Sequence, residues 1–226
     1  MMACVAIAEE RLAFEVPDKG PVSAAFLRPP DAVTSLVLFH GAGAGMDHPF
    51  MSGFARAIAE EGVATLRCNF PYMEAGKRSP DRQPVAVATV VAAFEEATRR
   101  AGEGEPVWVG GKSFGGRMAS VAVAEGLPAA GLVFLGYPLH PPGKPDRARD
   151  QHLDAIAVPM LFVQGTKDPF ATPAVLDPVI TRLPTASLHA VEGGGHSLER
   201  SRRDDAREVA ASFAPLVAAF MRQGSA

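Results

Sequence analysis

The sequence predicts an α/β protein built on a mostly parallel, doubly wound sheet, and three features carry that expectation. Short apolar runs recur at 35–39, 63–68, 106–110, 131–135, 159–164 and 186–191. Stretches with apolar residues at helical spacing separate them, the alternation expected of strands joined by crossover helices. The run at 35–39 carries no polar alternation, as a strand covered on both faces requires. With 226 residues, 47% of them hydrophobic, one substantial core is affordable in length, and a single domain over 1–226 is the simplest division.

In chain order, 11–16 and 22–27 flank Asp18-Lys19-Gly20, a turn signal that predicts an N-terminal antiparallel hairpin at the sheet edge. Phe50, Phe54, Ala57 and Ile58 share one helical face, as do Val87, Val90, Val91 and Phe94 behind Pro84. Residues 117–125 are helix formers, and Asp154 and Asp177 fall in further helical stretches. The last helical pattern, Val209, Phe213, Leu216, Val217 and Phe220, contains Pro215, which predicts two pieces or a bend. In such a sheet, ligand sites lie beyond the carboxyl ends of the strands, so function is sought just after each apolar run.

Composition excludes several classes. The formal charge of −3 gives no overall basic field for nucleic acid or an anionic membrane, although a local patch is compatible with it. Cys4 and Cys68 have no C-x-x-C spacing and read as free thiols, which leaves no zinc or disulfide framework. The opening MMACVAIAEE lacks the basic segment of a signal peptide, and the long uncharged stretch 126–143 is broken by four prolines. A cytoplasmic protein acting on a small molecule, without cofactor or metal, is the expectation; composition leaves the oligomeric state open.

Directly after the 106–110 run comes Gly111-Lys112-Ser113-Phe114-Gly115, a G-x-S-x-G motif followed by helix formers. A serine on a tight strand-to-helix turn needs small neighbours two residues away on either side, and the turn lifts its hydroxyl above the sheet. Gly-Lys-Ser also imitates a phosphate-binding loop, but Pro106 stands where its first glycine is required. A serine hydroxyl is a poor nucleophile near neutral pH, so a base and an orienting acid must accompany it. His196, in the glycine-rich loop after 186–191, is the candidate base, weighed against a plain surface-loop histidine. Asp168, after 159–164, is the candidate acid, weighed against a helix cap or an Asp-Pro turn. His189 lies inside a strand and reads as packing. The chain order serine, aspartate, histidine is that of hydrolases built on parallel sheets.

An acyl-transfer intermediate would need two backbone N–H donors for its oxyanion. Phe114, at the helix start, and Ala42, in the loop His40-Gly-Ala-Gly-Ala-Gly45, are the candidates, with Gly43 as the alternative to Ala42. That loop fails as a dinucleotide fingerprint because Met46 replaces its last glycine. His40 reads either as an active-site acid or as a residue that fixes the loop.

The segments His40–Phe50, Asn69–Tyr72, Gly111–Met118 and Gly136–Gly143 resemble the α/β-hydrolase superfamily, and more narrowly its small capless dienelactone-hydrolase-like group, similar to the testis-expressed and acetyltransferase-complex-associated hydrolase-like proteins. The resemblance implies the α/β-hydrolase fold with no large cap domain and a Ser113, Asp168, His196 triad hydrolysing an ester or thioester. Dienelactone hydrolase itself uses cysteine where this chain has Ser113, so its particular reaction does not carry over. Without a lid, loops 69–83 and 138–150 are expected to wall the pocket, with His48, Tyr72, Met73 and Leu139 as candidate lining residues. Lys77, Arg78 and Arg82 offer either attraction for an acidic substrate or a solvated loop. Two other readings stay open: acyl transfer by the same triad, and a non-catalytic interaction module.

Overall fold

A computed structural model describes residues 7–224. β1 (Glu9–Val16) and β2 (Gly20–Leu27) pair antiparallel, Val16 opposite Gly20, with Asp18 at positive φ in the turn. Six further strands follow: β3 (Thr34–Phe39), β4 (Val63–Cys68), β5 (Val107–Lys112), β6 (Leu132–Leu135), β7 (Met160–Gly165) and β8 (Ala186–Val191). The eight strands form one sheet in the order β1-β2-β4-β3-β5-β6-β7-β8. β2 meets β4 antiparallel, and every pairing from β4 to β8 is parallel. The expected mostly parallel sheet with an N-terminal hairpin is what forms, without a cap.

Among the described residues five helices lie between strands, α1 (Pro49–Glu60), α2 (Pro71–Glu74), α3 (Gln83–Arg100), α4 (Phe114–Ala124) and α5 (Pro173–Arg182), and two follow β8, α6 (Ala206–Ala211) and α7 (Ala214–Gly224). A 3₁₀ turn spans Gln151–Ala155. The helices divide the core into two layers. Val37, Phe39, Val109, Phe134 and Phe162 pack with α3, α4 and α5, while Leu36, Leu38, Trp108, Val133 and Leu161 face α1, α6 and α7. Side chains alternate faces along each strand, and both faces are covered, so the central strands read as continuous apolar runs.

α6 and α7 are the two pieces foreseen at Pro215. A continuous helix would set the proline ring against the carbonyl of Ala211, and α6 ends at that residue. In the first turn of α7 the missing N–H of Pro215 has no helical acceptor to forgo. Asp205 caps α6 through Oδ1, which accepts from the N–H groups of Arg207 and Glu208. No helix among the described residues is long and apolar enough to cross a membrane.

Candidate active site

The parallel register brings the carboxyl ends of β3, β5, β7 and β8 to one edge, and the loop after each delivers one part of the site. Ser113 follows β5 directly and adopts φ 51°, ψ −115°, a conformation that costs an L-residue energy and persists only when its surroundings enforce it. Two glycines permit the turn. A Cβ on Gly111, at φ 151°, would sit 2.1 Å from the Phe39 carbonyl oxygen, and one on Gly115 would sit 2.5 Å from the same atom. The turn is therefore pressed against the end of β3, and the hydroxyl is left facing outward.

His196 Nε2 lies 2.8 Å from Ser113 Oγ, and His196 Nδ1 lies 2.8 Å from Asp168 Oδ2. Asp168 is fully buried. Its Oδ2 also accepts from Gln164 Nε2 at 2.6 Å, and its Oδ1 accepts from the Phe170 N–H at 2.8 Å. Gln164 in turn accepts the Tyr137 N–H at 2.7 Å. A buried carboxylate is costly unless its lone pairs are occupied, and here donors from β7, its following loop and the histidine occupy them. With Asp168 accepting at Nδ1–H, Nε2 is left as the acceptor for the serine hydroxyl. Phe170 meets His196 edge-on at 4.5 Å between ring centroids, which holds the imidazole from its open side.

The N–H groups of Phe114 and Ala42 make no hydrogen bond to another described residue. Phe114 opens α4, where N–H groups have no intrahelical acceptor and the helix dipole is positive. Ala42 sits in a loop that reaches Ser113: a Cβ on the preceding Gly41 would meet Ser113 Cβ at 3.6 Å. The loop is fixed from below. His40 is fully buried; its Nδ1 lies 2.7 Å from the Gly41 carbonyl oxygen, and its Nε2 accepts the Phe70 N–H at 3.1 Å. These partners specify a neutral ring, and burial pushes its pKa below the ordinary histidine value. His40 is thus the loop-fixing residue of the two readings.

A cavity of about 360 Å³ lies over Ser113, lined by the 41–44 loop, His48, Met51, Lys112, Phe170, His196 and Ser197. Of the four expected lining residues, the structure places His48 there; its Nδ1 accepts the Phe50 N–H and so caps α1. Tyr72 and Leu139 are buried and do not face the cavity. Tyr72 Oη donates toward the carbonyls of Gly41 and Ala42, at 3.3 and 3.0 Å, and Leu139 N–H donates to the Phe170 carbonyl. Met73 packs beneath Gly45. Loops 69–83 and 138–150 support the walls instead of forming them. Lys77, Arg78 and Arg82 are exposed and lie off the cavity.

Met51, Lys112 and Phe170 are wall residues that the sequence reading missed. Lys112 and Phe170 stand beside Ser113 and two residues after Asp168, so neighbourhood in the motif was the available signal. The Lys112 ammonium lies 3.3 Å from the His196 carbonyl oxygen and over the Phe50 ring at 5.3 Å. Burial lowers its pKa to about 8. Cys68 is a free, fully buried thiol whose pKa burial pushes far up, which removes it as a nucleophile; Cys4 lies outside the described residues. His189 lies in β8 as an exposed residue, its ring 6.1 Å from that of Phe213. Among the described residues, no three His, Cys, Asp or Glu side chains are grouped to hold a metal ion.

A serine at a strained strand-to-helix turn, with histidine and carboxylate arriving from later strand ends of a parallel sheet, is the architecture of the α/β hydrolases. This chain belongs to that family: the model of an alpha/beta hydrolase domain matches residues 32–222. Among solved structures, it is similar in fold to dienelactone hydrolase from Anabaena variabilis, with TM-score 0.75 at 20% identity over 96% of this chain and 98% of that one. A lidless α/β serine hydrolase from Xanthomonas campestris matches with TM-score 0.68 at 20% identity, over 96% of this chain and 93% of that one. Est1E from Butyrivibrio proteoclasticus matches with TM-score 0.74 at 14% identity, over 94% and 99%.

Proposed function

We infer that the protein is a serine hydrolase that cleaves an ester or thioester of a small substrate through an acyl-enzyme. One observation carries this reading: the unbroken hydrogen-bonded line from Asp168 through His196 to Ser113 Oγ, with 2.8 Å at each step, opening into a cavity. In the proposed reaction Ser113 Oγ attacks the acyl carbon while its proton passes to His196 Nε2, and Asp168 stabilises the resulting imidazolium. The carbonyl oxygen takes up negative charge and is received by the N–H groups of Phe114 and Ala42, which have no other partner among the described residues. Collapse breaks the C–O or C–S bond, and His196 returns the proton to the leaving group. Water then attacks the acyl carbon, again with His196 as base, and releases the acid. The esterases and dienelactone hydrolase among the structural neighbours support the choice of acyl chemistry. A cavity of about 360 Å³ is near the lower end of the usual range for ligand sites, which favours a short acyl group.

The test is labelling with a fluorophosphonate followed by peptide mass spectrometry, together with hydrolysis of p-nitrophenyl acetate. Labelling at Ser113 is expected, and Ser113→Ala should lower kcat/KM by about 10³-fold or more while circular dichroism is unchanged. A folded Ser113→Ala variant that keeps its esterase activity overturns the reading.

A further inference from the structure

On the far side of α4 from the β-sheet, a second cavity of about 450 Å³ lies between that helix, the start of α3 and the 3₁₀ turn at Gln151–Ala155. It shares no lining residue with the cavity over Ser113. Its polar lining is Gln83, Arg117, Glu125, Arg149, Gln151 and His152. Arg117 has the unusual chemistry here. Its guanidinium makes no hydrogen bond or ion pair with any described residue, and its Nε is shut off from solvent without a partner. Arg117 is half-buried, and an enclosed N–H that has lost water and gained no acceptor is costly.

The neighbours deepen the problem. Tyr137 would favour the Arg117 charge only as a phenolate, and burial raises its pKa to about 12; Arg149, which lines the same cavity, has the same sign as Arg117 and opposes its charge, and it too lacks an ion pair among the described residues. The acids nearby are committed elsewhere: Arg182 holds Asp150 and Asp154, each at 2.8 Å. Glu125 is exposed at the rim and pairs with neither arginine. His152 adds no negative charge and little positive. Its Nε2 lies 2.8 Å from Ser120 Oγ, and burial lowers its pKa to about 4, so the ring is neutral near pH 7. Arg149 also lines an adjoining cavity with Lys144 and Arg147, so four cations gather on this side of a chain whose formal charge is −3.

We propose that this cavity is a binding site for a doubly charged oxyanion, inorganic phosphate or a phosphomonoester, clasped between the Arg117 and Arg149 guanidinium groups. Guanidinium presents paired N–H donors that match phosphate oxygens, and two cations lining one cavity match a dianion better than a carboxylate. The amides of Gln83 and Gln151 border the same space and can donate to the remaining oxygens.

The experiment is a titration of the intact protein with inorganic phosphate at constant ionic strength, read as thermal stabilisation and as heat of binding. Binding of a ligand to the native state alone raises stability in a saturable way. The wild type and Ser113→Ala are expected to show the same saturable response, with acetate and chloride giving none. Arg117→Met and Arg149→Met should each weaken phosphate binding about tenfold or more; Arg149 is exposed, so its variant tests the site without altering a half-buried position. Glucose 6-phosphate against glucose then separates a phosphomonoester site from one closed to all but the free ion. No saturable response in the wild type, unchanged affinity in Arg149→Met, or loss of binding in Lys112→Met in place of the arginine variants would overturn the proposal, the last by moving the anion to the Ser113 cavity.

Discussion

Two polar cavities flank α4 and solve the problem of buried charge in opposite ways. Around Ser113 the groups are mutually satisfied: Asp168 accepts from Gln164, Phe170 and His196, and His196 reaches both carboxylate and serine. Around Arg117, a second cation shares the cavity, Asp150 and Asp154 are bound to Arg182, and the rim residue Glu125 pairs with neither arginine. A satisfied network fixes geometry, and an unsatisfied one stores free energy that a ligand can release. The first arrangement suits groups that must be held still for a reaction, and the second suits groups that wait for a partner of opposite charge.

The contrast is sharpest at Asp168. Asp168→Asn keeps the shape but presents an amide where Nδ1–H must donate, and kcat/KM for ester hydrolysis is expected to fall by roughly 10²–10⁴-fold. Activity within a few-fold of wild type would break the claim that this network positions the base. The next effect is at His40. His40→Leu leaves the Phe70 N–H unpaired in the core and removes one of the two donors to the Gly41 carbonyl, the other being Tyr72 Oη. Urea unfolding should show a loss of about 1–3 kcal/mol, accompanied by a lower kcat as the Ala42 loop loosens.

Lys112 gives a smaller, pH-dependent effect. Its folded-state pKa of about 8 lies below the ordinary 10.5, so above pH 8 the folded protein sheds a proton that the unfolded chain still holds. Stability from this group therefore rises with pH between 8 and 10.5. Cys68, whose thiol burial pushes far above its ordinary 9, acts in the opposite sense from pH 9, and Tyr72 and Tyr137, raised by burial to about 12 from 10, do so above pH 10, so the clean window is pH 8 to 9. Urea midpoints across that window should climb less steeply in Lys112→Met than in wild type; equal slopes would show that the ammonium is not enclosed. The smallest effect belongs to the second cavity. Removing the unpaired Arg117 cation as Arg117→Met is expected to be neutral or to stabilise the protein by up to about 1 kcal/mol in phosphate-free buffer. A marked destabilisation there would mean that its charge is already compensated and would erase the difference between the two cavities.

Much of this was legible along the chain. The apolar runs fall on the strands β3 to β8, Pro215 divides the last helical pattern, and the three residues proposed to act together each follow a strand end. β5 runs to Lys112, past the expected end at 110, because Gly111 reads locally as turn while its lack of a side chain lets it pair beside Phe39. The pocket walls were harder. Tyr72 and Leu139 sit in loops near the site, yet both turn inward and brace the loops that carry Ala42 and Phe170. Which way a side chain points from an irregular loop depends on the loop's path over the sheet, and no periodicity records it.

The sequence by itself determined the order of strands and helices, the glycines that admit a strained serine, and the identity of the groups that could do chemistry, because each depends on neighbours within a few residues. The tertiary structure decided that Ser113 and His196, 83 positions apart, come within hydrogen-bonding distance, and that Asp168, 28 positions before His196, lies behind it. It also decided that Arg117 and Arg149 line one cavity and that neither has an ion pair among the described residues. Those distances follow from the parallel register of β5 through β8, which sets the strand ends level, and from the packing of loops over them; both are long-range contacts that only the folded chain contains.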